Sequence, residues 1–105
     1  MVNLWRTRLE RIKAKGQVAV VWGTGSKAVT FLNTMQAHIE YAVDINPQKQ
    51  GKYVAGTGQK IVSPQYLRSY KPDIIIVMNP IYIREIRALS RKLGLHSKLY
   101  SASPI

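Results

Sequence analysis

The chain has 105 residues, the size of one ordinary domain, and no cysteine. That excludes disulfides, thiolate catalysis and Cys-ligated metals, and it fits a cytoplasmic protein. Sixteen Lys and Arg against five Asp and Glu give a net charge of +11, which favours anionic partners over neutral ones.

Residues 3–15 read as an amphipathic helix, with Trp5, Leu9 and Ile12 on one face and Gly16 as its stop. We treat residues 1–16 as an N-terminal helix that packs on the sheet, or as the tail of a linker. The chain start shows no signal-peptide pattern. Its longest strongly apolar run, residues 74–78, is far too short to span a membrane.

Residues 17–22 are almost continuously apolar, as in a parallel strand covered on both faces. Gly23-Thr24-Gly25 breaks the run, and a helix follows from Ser26 to about Met35. A second strand covers residues 40–44. Residues 45–58 read as a long polar loop that leans toward the end of the first strand, carrying Lys49, Gln50, Lys52, Tyr53 and Thr57. A short third strand covers 60–62. Ser63-Pro64 then reads as a capped helix start, with a helix to about Tyr70.

Residues 73–78 form the second strongly buried strand. Asn79-Pro80 repeats the cap-then-proline signal before a helix patterned on Tyr82, Ile86, Leu89 and Leu93, stopped at Gly94. A last strand covers 97–100, and residues 101–105 are expected to be loose. Strands alternating with helices predict an α/β, Rossmann-like domain over residues 17–100. Its sheet should be open and parallel, in the order 3-2-1-4-5, with helices on both faces. Strands three and five are its expected open edges.

The sharpest local motif is Gly23-Thr24-Gly25-Ser26-Lys27-Ala28, a G-x-G-x-x-A turn between a buried strand and a helix. Asp44 follows at the end of the next strand, where a dinucleotide fold places its ribose-binding acid. Gly23 permits the turn, Gly25 lets a phosphate approach the backbone, and Ala28 lets the helix lie close. Lys27 sits in the first helical turn, where the dipole disfavours a cation unless an anion is beside it. The opposing reading is tight packing with Lys27 in solvent. The crevice is expected beyond strands one and four, so Thr24, Ser26 and Lys27 should face Asn79, Ile81 and Tyr82.

His38 and His96 both belong to the opposite end of the sheet, away from any general-base position in that crevice. No metal-ligand spacing and no serine elbow are present. Three functions stay open on the residues alone. One is a ligand-holding domain completed by a second domain. Another is a stand-alone NAD or nucleotide module. The third is a basic nucleic-acid binder, disfavoured because its cations are scattered and not interleaved with aromatic residues.

Residues 18–100 also resemble the C-terminal domain of the sugar-nucleotide C-methyltransferases. The likeness runs through Val20-Val21-Trp22-Gly23-Thr24-Gly25-Ser26-Lys27, Phe31-Leu32-Asn33, and Ile61-Val62-Ser63-Pro64. Its most distinctive run is Asp44-Ile45-Asn46-Pro47-Gln48-Lys49-Gln50-Gly51-Lys52-Tyr53. The resemblance implies a parent enzyme in which a separate central domain binds S-adenosylmethionine and carries the base. A nucleotide-linked sugar lies between that domain and this one, and this chain carries no catalytic residue, metal or cofactor of its own. It implies substrate-side contacts at Gly23, Gly25, Ser26, Lys27, Asp44, Asn46, Lys49, Lys52, Tyr53 and Asn79. Thr24 and Tyr82 join them from the crevice geometry. Pro80 and Tyr82 depart from the family pattern around Asn79. The chain is read either as an excised domain or as a free-standing relative.

Overall fold

A computed structural model describes residues 2–35 and 39–102, with side chains placed within that range from Leu4 onward. His38 lies outside the described residues. The elements are α1 (Val2–Ala14), β1 (Ala19–Trp22), α2 (Ser26–Met35), β2 (Tyr41–Val43) and β3 (Lys60–Val62), then α3 (Leu67–Tyr70), β4 (Ile74–Val77), α4 (Ile83–Lys92) and β5 (Lys98–Ser101). All five strands are parallel, in the order β3-β2-β1-β4-β5. The fold expected from the sequence is therefore the fold observed.

The apolar runs explain the order. Every residue of β1 and β4 is buried, so these strands sit at the centre with layers on both sides. Alternate residues serve opposite faces. Val21, Ala42, Ile61, Ile74 and Ile76 pack with Ala28 and Leu32 of α2 and with Trp5 of α1. Val20, Trp22, Val43, Ile75 and Val77 pack with Leu67 of α3 and Ile86 of α4.

The helix over residues 3–15 packs on the first of these faces. Trp5 is 4% exposed, meets Phe31 and Tyr100 edge-on, and donates from Nε1 to the Ala102 carbonyl at 3.1 Å. The main chain thus stays engaged past residue 100: Ser101 is the last residue of β5, and the Ala102 N–H donates to the Val77 carbonyl at 2.9 Å.

Three local expectations are corrected. Ser63 makes no side-chain cap. Its extended backbone instead offers its carbonyl to the Tyr66 N–H, and Pro64 opens a 3-10 turn before α3. Tyr82 belongs to a similar 3-10 turn after Asn79, and it is 48% exposed rather than packed on the helix's apolar face. The loop over 45–58 does not hang free. Gly51 and Val54 donate to Ile61 and Gln59 carbonyls, Ile61 donates to Lys52, and Tyr53 bridges Lys60 in antiparallel sense. Residues 51–54 therefore cover the outer edge of β3, and β5 is the other edge strand of the sheet among the described residues.

Tyr41, Tyr66 and Tyr70 cluster on the second face. Tyr66 bonds the Tyr41 hydroxyl at 3.0 Å, and Tyr70 donates to Glu40 at 3.2 Å. The bond with Tyr66, then burial and the nearby Glu40 charge, raise Tyr41 above the ordinary phenol value. Burial first, then Glu40, raises Tyr70. The folded state therefore holds these protons more tightly than the unfolded one.

Two outcomes follow. Trp5→Ala should lower stability by about 3–5 kcal/mol in urea unfolding, while Leu4→Ala, at a half-exposed site, should change it by less than about 0.5 kcal/mol. The tyrosine contribution is intact below the unfolded phenol pKa of about 10 and is lost as pH rises through the elevated folded values. Urea midpoints measured upward from neutral pH should fall once that value is passed, and less so in Tyr70→Phe.

Candidate functional site

β1 leaves the core at Trp22 and turns at once. Gly23 has φ +116°, and its N–H donates to the Val43 carbonyl at 2.8 Å. A Cβ there would stand 3.2 Å from the Cβ of Met78, where β4 leaves the sheet. Both the backbone angle and the close approach call for glycine. Ala28 is fully buried, so the first turn of α2 lies directly on the strands. On the other side Asn79 caps its turn, its Oδ1 accepting from the Ile81 N–H at 3.3 Å.

The two turns flank the carboxyl ends of β1 and β4, where the strand order reverses. Between them opens a cleft of about 640 Å³. Its apolar lining includes Trp22, Val43, Val77 and Met78. Gly23 to Ala28 and Asp44 line it from the side of β1 and β2, and Asn79, Tyr82, Glu85 and Leu89 from the side of α4.

Asp44 ties this side together. Its Oδ2 accepts from the Thr24 hydroxyl, and its Oδ1 accepts from the Asn46 N–H at 2.8 Å. Lys49 Nζ lies 3.8 Å from Oδ2, and Gln50 donates to the Asp44 carbonyl at 2.8 Å. The carboxylate thus fixes the glycine turn against the exit of β2, with a cation balancing its charge.

Of the residues singled out in the sequence, Gly23, Thr24, Gly25, Ser26, Lys27, Asp44, Asn79 and Tyr82 line one cleft. Asn46, Lys49, Lys52 and Tyr53 are not among its lining residues. Asn46 and Lys49 stand behind Asp44 as its partners. Lys52 and Tyr53 are carried to the outer edge of β3 by the pairing there, so the loop does not bring them to the crevice as expected. Val54 anchors that segment in the core, and Asn33 holds it by donating to the Ala55 carbonyl at 3.2 Å. Ile81 also misses the cleft wall and stands 73% exposed.

The sequence reading did not place Ile45 or the apolar floor in the site. Glu85, a carboxylate that the sequence puts one turn into the helix after the fourth strand, also lines the cleft. Among the described residues no group of His, Asp and Glu is arranged to hold a metal, and no helix is long and apolar enough to cross a membrane.

A family model for the C-methyltransferase C-terminal domain matches residues 3–97, and the chain belongs to that family. The match begins fifteen residues before the resemblance read from the sequence, and so takes in α1 with its buried Trp5. No curated protein matches the chain.

Gly23→Ala should destabilise the domain by about 1–3 kcal/mol, because it adds both a strained φ and a crowded Cβ. Thermal unfolding of the purified variant measures it.

Proposed function

We propose that this domain holds a nucleotide-linked sugar in the cleft above β1 and β4, against a separate S-adenosylmethionine-dependent methyl-transfer domain. The observation that carries this reading is Gly25. It lines the cleft at the start of α2, its φ is not in the left-handed region, and a Cβ there would meet nothing within 4 Å. Protein packing does not require glycine at this point. An incoming phosphate does, because it must approach the N–H groups of the first helical turn. Lys27, exposed in the same turn, would then stand beside an anion instead of opposing the helix dipole alone.

In this reading the chain binds and orients, and chemistry belongs to the other domain. The turn takes the diphosphate, and the apolar floor with Tyr82 takes the less polar part of the ligand. Ile45, Ile81 and Tyr82 stand 70%, 73% and 48% exposed at this end of the sheet, an apolar rim suited to burial when a second domain closes. S-adenosylmethionine supplies the methyl group in enzymes of this kind. Its ribose calls for an available acid at the end of the second strand, whereas Asp44 is engaged by Thr24, Asn46 and Lys49. With Asp44 engaged in holding the turn, a ligand held chiefly through its phosphates is favoured in this reading, and NAD and S-adenosylmethionine rank behind it.

Calorimetric titration with pyrimidine and adenine nucleoside diphosphates and a nucleotide-sugar tests the proposal. Gly25→Ala should keep the fold within about 1 kcal/mol yet weaken binding at least tenfold. Lys27→Ala should weaken it by a similar factor. No heat with any of these ligands, or unchanged affinity in both variants, would overturn the assignment.

A further inference from the structure

The basic residues are scattered in the sequence, but the fold gathers many of them at one edge of the sheet. Two hollows flank β5, the last strand of the sheet on that side among the described residues. On the α1 side the lining includes Arg8, Arg11, Lys15 and Lys98. On the α4 side it includes Arg87, Arg91 and His96, and Lys98 and Tyr100 belong to both hollows. Neither hollow is lined by any Asp or Glu. Arg8 is held over the Trp5 and Tyr100 rings, at 5.1 and 5.5 Å from their centroids, so one guanidinium is positioned by the core itself. Among the described residues, none of these cations has a salt bridge.

We propose that the β5 edge binds the phosphodiester backbone of a nucleic acid. Seven cationic or titratable basic side chains around one strand, with no carboxylate lining either hollow, concentrate positive potential that a run of anions laid across them would neutralise. Four are arginines, whose planar forks suit phosphate oxygens. The surface lacks what the other polyanion partners need. A specific protein interface has an apolar centre, and a membrane-binding face inserts large apolar side chains. Among the described residues, the large hydrophobic side chains that stand exposed are Leu4, Ile45, Tyr53, Tyr66, Ile81 and Tyr82, and none of them lines either hollow. The charge pattern therefore matches a repeating, hydrophilic anion. This inference is independent of the cleft, which opens at the carboxyl ends of β1 and β4.

Fluorescence anisotropy with a labelled single-stranded RNA and a labelled duplex DNA tests it. The wild type should bind at least one of them, and contact with about four phosphates predicts an affinity loss on the order of 100-fold for a fourfold rise in salt. A variant carrying Arg11→Gln, Arg87→Gln, Arg91→Gln and Lys98→Gln should bind at least tenfold more weakly, with a shallower salt slope. A charge-matched control carrying Lys13→Gln, Lys60→Gln, Arg68→Gln and Lys71→Gln should lose less than threefold. All eight positions are exposed, and circular dichroism and thermal unfolding verify that both variants fold. Equal losses in the two variants would overturn the proposal, since only net charge would then matter. So would binding to anionic phospholipid vesicles without binding to either nucleic acid. Nucleotide titration at the cleft should be the same in all three proteins, so failure here and failure of the cleft reading are separable.

Discussion

The close approach of the β1 and β4 exits is the constraint on which the functional end of the molecule depends. Two fully buried parallel strands run side by side, and their chains must part in opposite directions as soon as they leave the sheet. That is possible only because no side chain stands between Gly23 and Met78. The parting opens the cleft, aims the start of α2 into it, and sets Asn79 on its far side. Asp44 then fixes the geometry from β2 by bonding Thr24 and Asn46 at once. In the structure Asp44 holds the turn.

The buried core and the two candidate surfaces are separated in space. The two apolar layers lie on the faces of the sheet, where Trp5, Leu32, Leu67 and Ile86 join the helices to the strands. The cleft lies at the carboxyl end, and the basic edge lies along β5. Substitutions at the exposed positions of either surface can therefore be made without opening the core. Gly23 and the buried lining residues, among them Trp22, Val43, Val77 and Met78, belong to the cleft and to the packing together.

The chain belongs to the C-methyltransferase C-terminal family, whose model covers it from α1 to the approach to β5, residues 3–97. The cleft has an apolar floor and two carboxylates in its lining, Asp44 and Glu85. Of those carboxylates one is engaged in holding the turn, and the other, Glu85, stands on the face of α4 turned to the cleft. Ile45 and Ile81 leave an apolar rim exposed at the same end of the sheet.

Much of this was fixed by the sequence alone. The runs Ala19–Trp22 and Ile74–Val77 are apolar at every position, which forces central strands, and alternation with amphipathic helices forces parallel crossovers. The glycine turn, Asp44 and Asn79 were legible because each acts through its nearest neighbours in the chain or at a fixed topological point. What only the tertiary structure decided rests on contacts between distant segments. Residues 51–54 look like free loop until β3 offers them an edge to pair with, and that pairing moves Lys52 and Tyr53 away from the cleft. Ala102 looks like a loose end until Trp5, 97 residues away, bonds its carbonyl. The cations of α1, α4 and β5 are dispersed by local spacing and meet only because the sheet order makes β5 an edge between two helices. Periodicity reports which face of an element is buried. It does not report which other element will be found there.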